Sequence, residues 1–158
     1  MATIKWFLLC STLAMSALSA APTLCTKADD PWMTEQTVQA AGFVKELQQE
    51  KDPYPTVIYV GVKTLYEGAH IPGAVFYGPG STERGLAELK KFAATLPRNS
   101  DVVLYCGCCP LEKCPNLRPA FTALEASGFA RLRVLILPTS FNVDWVEKGF
   151  PVHKGEKP

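Results

Sequence analysis

The residues best equipped for chemistry stand in one stretch, Cys106-Gly-Cys-Cys-Pro-Leu-Glu-Lys-Cys114-Pro-Asn-Leu-Arg118, which holds four cysteines in nine positions. A cysteine acts as a nucleophile or metal ligand through its thiolate, so the question is what could deprotonate one of them. Asp101 to Tyr105, with Val102, Val103 and Leu104, reads as a strand buried on both faces, and Ala120, Phe121 and Leu124 form the apolar face of a following helix. A strand that runs into a loop and then a helix places the loop at the carboxyl end of a sheet, where open α/β folds bind ligands. Cys106 stands at that end. Backbone N–H groups of the loop and of the helix N-terminus can surround its sulfur and favour the thiolate, which makes Cys106 the candidate nucleophile. Arg118, near the helix start, is the candidate cationic contact for an anionic substrate such as a thiosulfonate. Gly107, Lys113 and Asn116 complete the candidate substrate loop, with Lys113 helping to hold an anion.

Blander readings stand beside these. Cys106 could be a buried structural cysteine, or half of a bridge to Cys114. Cys108, Cys109 and Cys114 are candidates for a stabilising disulfide or for a resolving thiol that attacks a persulfide or mixed disulfide on Cys106. Adjacent Cys108 and Cys109 do not bridge each other without strain. Closely spaced thiolates also suit Zn²⁺ or Cu⁺, but the spacing is not a familiar zinc pattern and no histidine accompanies it, so no metal or cofactor is assigned. His70 reads as a turn-packing residue, Trp145 as core, His153 as part of a polar end, and Glu112 with Lys113 as a solvated loop tip.

The elements that must position this loop are those of an α/β domain with a parallel sheet. Thr34 is expected to cap a helix reaching about Gln49. Strands are expected at Thr56 to Val60, Ala74 to Tyr77, Asp101 to Tyr105 and Arg133 to Leu137. Ser81 is expected to cap a helix carrying Leu86, Leu89 and Phe92 that stops near Pro97, Gly128 to end the helix after the cysteine loop, and Val143 to Lys148 to form a short last helix closed by Gly149. A chain of 158 residues with 47% apolar content is long enough for one core and too short to expect two domains. Its 16 basic and 15 acidic residues form no dense runs, which argues against nucleic acid or anionic membranes as partners.

Met1 to Lys5, the apolar run Trp6 to Leu18 and the small residues Ser19, Ala20 and Ala21 have the three parts of a signal peptide. Residues 1–21 are therefore read as a removable signal, 22–33 as a linker, 34–153 as the domain and 154–158 as a polar tail. The expected product is exported, periplasmic or secreted, with no stable membrane insertion after signal cleavage. Five cysteines, Cys25 and the four of the loop, would then remain where disulfides persist, and an odd number leaves at least one thiol free.

Further motifs carry a resemblance. Gly68-Ala-His-Ile-Pro-Gly-Ala74, the strand Val102 to Cys106, Gly128-Phe129 and Trp145-Val-Glu-Lys-Gly-Phe-Pro-Val152 occur in the order in which similar elements occur in the rhodanese family. The resemblance spans about residues 34–153. It implies a three-layer α/β domain with a central, mostly parallel sheet flanked by helices, and a sulfurtransferase that carries sulfane sulfur as a persulfide on Cys106. The implied partners are a small sulfur-donor anion and a thiol acceptor, which could be a redox protein; no cofactor is implied. Two departures are visible: Tyr59-Val-Gly61 replaces the family's usual acidic residue, valine and arginine, and the loop after Cys106 is longer than in the family's sulfurtransferases. Two other functions stay open on the same fold: a thiol–disulfide or sulfur-relay protein using Cys106 with Cys114 or Cys108, and a non-catalytic module binding metal or a partner through the cluster.

Overall fold

A computed structural model describes residues 30–49 and 52–155. The proposed signal peptide, with Cys10, and Cys25 of the linker lie outside the described residues. Five parallel strands form one sheet in the order β1-β5-β4-β2-β3: β1 (Thr37–Gln39), β2 (Thr56–Tyr59), β3 (Val75–Phe76), β4 (Asp101–Tyr105) and β5 (Arg131–Ile136). Helices α1 (Ala40–Gln48), α2 (Lys63–Gly68), α3 (Glu83–Ala93) and α4 (Leu117–Glu125) connect them. Among the described residues no helix is long and apolar enough to cross a membrane.

The period-two geometry of the central strands sorts their side chains onto two faces. Ile58, Val60, Val102, Leu104 and Cys106 join the core that α3 and α4 cover with Leu89, Leu117 and Phe121. Val57, Tyr59, Val103 and Tyr105 join the other core, completed by Phe43, Tyr66, Ile71 and Trp145. Both faces of β4 are therefore dry, as its unbroken apolar run requires. Each fully buried Val, Leu or Ile there contributes about 1.5–3 kcal/mol relative to exposure. That burial fixes the point at which Cys106 leaves the sheet.

Several elements differ from expectation. The helix expected from Thr34 begins at Ala40: Thr34–Gln36 form a single 3₁₀ turn, and Thr37–Gln39 pair with Val134, Leu135 and Ile136 as an edge strand. Val38, Ala41, Val44 and Leu47 have helical spacing, but Ala41 is exposed while Phe43 and Val44 face the core. The open edge of β5 needed hydrogen-bond partners, and the β-branched pair Thr37-Val38 suits that role better than a first helical turn. Thr82, not Ser81, caps α3, its Oγ1 accepting from the Gly85 N–H at 3.0 Å, while the Ser81 N–H donates to Asn116 Oδ1 at 3.1 Å. Helix α2 was not expected; it buries Tyr66 and carries a Lys63–Glu67 pair one turn apart. The last expected helix is a π-helical turn, Asn142–Val146, which buries Trp145 with its Nε1 donating to the Pro151 carbonyl at 2.8 Å. His70 packs as expected, stacked on Tyr66 with Nδ1 2.8 Å from the Tyr66 carbonyl oxygen, and its backbone bridges to His153. At the end of the stretch read as a linker, Trp32 is buried edge-on against Phe121.

Candidate active site

Directly after β4 the chain turns at Gly107, where φ is +74° and the carbonyl accepts from the Phe141 N–H at 2.9 Å. A Cβ there would sit 2.7 Å from the Phe141 backbone nitrogen, so only glycine passes comfortably at this place. The loop continues through Cys108 and Cys109, makes a 3₁₀ turn at Leu111–Lys113, and brings Cys114 back beneath the start of α4. The result gathers sulfur. Cys106 and Cys108 Sγ lie 3.2 Å apart, Cys108 and Cys109 Sγ 3.5 Å apart, and the sulfurs of Cys106, Cys108 and Cys114 all lie within 4.8 Å of one another. All four cysteines are free thiols.

Asn116 is buried among these sulfurs. Its Nδ2 stands 3.6 Å from both Cys106 and Cys108 Sγ, and the Ser81 N–H bond to Oδ1 fixes which way the amide faces. Gly61 provides the space on the opposite side, since a Cβ at that position would approach Cys106 Sγ to 3.0 Å. Arg118 Nη1 donates to the carbonyls of Leu111 and Cys114 at 3.2 and 3.3 Å, and Nη2 pairs with Asp30 at 2.6 Å. Its guanidinium also lies over the Trp32 ring. The side chain read as a contact to substrate thus clamps the loop in this structure. Lys113 is exposed at the loop tip.

The electrostatics distribute the protons unevenly. Cys114 is lowered to about 6, first because the Cys106 S–H donates to it, and further by the N–H groups of Asn116 and Leu117, against the opposing effect of burial. The thiol of Cys106 is held well above its ordinary value by that same donation to Cys114 and by burial, although the Cys108 N–H pulls the other way. Burial and the Cys108 thiol push Cys109 up to about 12. Tyr59 is raised by burial and by the neighbouring sulfur of Cys106. Contact with Cys114 and burial thus raise the Cys106 thiol, while Cys106 and the amides at the start of α4 lower Cys114. The helix N-terminal amides expected to favour a Cys106 thiolate, those of Asn116 and Leu117, act on Cys114.

A cleft of about 440 Å³ opens beside the cluster, lined by Gly107, Cys108, Tyr59, Phe141, Ser140 and Lys154 among others. Cys108 is the cysteine that meets it, while Cys106, 2% exposed, lies just behind. Lys154 was read as part of a polar tail; its sequence surroundings carry no sign that the closing segment returns to the site.

Neither a family model nor a curated protein matches the chain by sequence. Solved structures do match. The rhodanese-like domain of the Alr3790 protein from Anabaena sp. is similar with a TM-score of 0.54 at 20% identity, covering 75% of this chain and 79% of that one. The BH2092 protein from Bacillus halodurans is similar with a TM-score of 0.58 at 19% identity, covering 75% and 76%. Thiosulfate sulfurtransferase from Pseudomonas aeruginosa matches over 77% of this chain but 20% of its own, with a TM-score of 0.54 and 23% identity. The chain has the rhodanese-like fold, a five-stranded parallel sheet between helical layers.

Proposed function

We propose that this is an exported sulfurtransferase that carries sulfane sulfur on Cys106. The observation that supports the reading most is the position of Cys106 at the carboxyl end of the doubly buried strand β4, with the Cys108 N–H on its sulfur and the sulfur of Cys114, whose pKa is lowered to about 6, within 4.8 Å. Export rests on the signal-like pattern of residues 1–21, and the partners are a small sulfur-donor anion and a thiol or cyanide acceptor.

In the first half-reaction Cys106 Sγ attacks the outer sulfur of a donor such as thiosulfate while its proton passes to Cys114. The donor's S–S bond breaks, sulfite leaves with the electron pair, and Cys106 holds the transferred sulfur as a persulfide. In the second, the acceptor attacks the outer sulfur, and Cys106 leaves and recovers the proton. Lys154 in the cleft supplies a cation for the donor, whereas Arg118 acts on the loop. Mass spectrometry after thiosulfate treatment should find one added sulfur on the Cys106 peptide. Persulfidation and thiocyanate production that persist in Cys106→Ser would refute the assignment.

The 3.2 Å separation of Cys106 and Cys108 favours a second reading, a thiol–disulfide relay in which these two cycle between dithiol and disulfide. A reversible redox potential with exchange onto a reduced partner, and no thiocyanate, would select it.

A further inference from the structure

We infer that Cys106, Cys108 and Cys114 form a three-sulfur binding site for one soft, thiophilic monovalent cation, of which Cu⁺ is the probe. The triangle is already close to the required size. Sulfur-to-metal bonds of about 2.3 Å in a trigonal arrangement set the sulfurs ~4.0 Å apart. The three Sγ atoms lie within 4.8 Å of one another, with one edge at 3.2 Å, so side-chain rotations that move each sulfur by less than about an ångström would centre an ion among them.

The donor set selects the class of ion. Asn116, buried against the cluster, turns its N–H groups toward the sulfurs and spends its oxygen on Ser81, so it offers no oxygen ligand. A site of sulfur alone is matched to soft ions and mismatched to magnesium or calcium, which require oxygen. Three ligands in a partly closed loop match the low coordination numbers of Cu⁺ better than the four of structural zinc.

The nearby Arg118 guanidinium is committed to the carbonyls of Leu111 and Cys114 and to Asp30, so it does not compete for the sulfurs. A bound cation deprotonates coordinating thiols outright. The ligands are also preorganised: Gly107 is locked against Phe141 on one side, and the Arg118 clamp holds the carbonyl of Cys114 on the other. Cys108 faces the cleft and gives an entry path.

The test titrates the fully reduced protein with Cu⁺ under anaerobic conditions against a chromophoric Cu⁺ chelator. One equivalent should be retained, with X-ray absorption showing three sulfur neighbours. Loss of a group that merely hydrogen-bonds to a ligand typically weakens a metal site about 10–100-fold, so Cys108→Ser and Cys114→Ser should each weaken retention by at least about 100-fold. Cys109→Ser should leave it within the error of the titration. Because Cys114 is buried, the folding of each variant is checked by circular dichroism; the half-exposed Cys108 keeps the test decisive if Cys114→Ser does not fold. Failure to compete with the chelator, two sulfur neighbours in place of three, or unchanged retention in Cys108→Ser would each overturn the inference. None of these readouts depends on sulfur transfer.

Discussion

Replacing Gly107 by alanine isolates the turn that carries the chain from β4 into the cysteine loop. Two costs add. An L-residue at φ +74° costs about 1–2 kcal/mol relative to glycine, and the new methyl group would stand 2.7 Å from both the Cβ and the backbone nitrogen of Phe141. Those atoms belong to backbone and Cβ, so they cannot swing aside, and overpacking of this kind adds about 1–3 kcal/mol. The sum is about 2–5 kcal/mol, a large part of a typical domain's 5–15 kcal/mol. With a urea m-value of about 2 kcal/mol per molar, the midpoint should fall by about 1–2.5 M. Gly128→Ala is the control: its φ is +80° and nothing lies within 4 Å of the added Cβ, so only the conformational cost of about 1–2 kcal/mol remains. The measurement is urea unfolding of both variants under reducing conditions, followed by tryptophan fluorescence. Equal midpoint shifts for the two variants would show that the approach of Gly107 to Phe141 does not govern the loop.

Two more outcomes follow from the proton distribution and from the clamp. Because the folded-state pKa of Cys114, about 6, lies below the ordinary thiol value of 9.0, the unfolded chain holds one more proton than the folded chain between these values; stability should rise with pH across that window, on the order of 1.4 kcal/mol per unit, and be lost as pH falls through about 6. Denaturant titrations of the reduced, chelator-treated protein should show this slope, and an identical slope in Cys114→Ser would refute it. Arg118→Met should lower stability by about 1.5–3 kcal/mol, the range for hydrogen bonds to charged groups, while leaving the KM for thiosulfate unchanged. An increased KM at unaltered stability would return Arg118 to the role of donor ligand.

The parts of the fold legible in the sequence were those governed by burial. Asp101–Tyr105 is read to the residue because an unbroken apolar run has one consistent interpretation between two helical layers. Gly128, at φ +80°, and the buried Trp145 likewise follow from local chemistry. Strand β1 was hidden because its three residues answer to a hydrogen-bonding need of β5, about a hundred residues later in the chain, while nearby apolar residues imitate a helical spacing. The site shows the same division. That four cysteines share one loop at a sheet end follows from spacing, whereas the burial of Asn116 among their sulfurs does not. Which sulfur the α4 amides would face depends on where α4 starts, and Leu117 places that start three residues beyond Cys114 and eleven beyond Cys106. Lys154 reaches the cleft only because the closing segment pairs back onto His70 through His153.

The course of the cysteine loop therefore decides which sulfur the helix amides act on. A short loop would direct the amides of the loop and of the helix N-terminus at a single sulfur and ionise it. Here the 3₁₀ turn at Leu111–Lys113 delivers a second sulfur to the helix N-terminus, where the amides lower its pKa. The cysteine at the strand end is then buried with its thiol pKa raised, and is less open to adventitious oxidation. Within the proposed reaction, nucleophilicity appears only as the proton moves, so the reactivity of Cys106 is tied to the state of Cys114. Anything that captures Cys114, whether an ion, an oxidant or a bridge to a neighbouring thiol, removes the base and silences the nucleophile together.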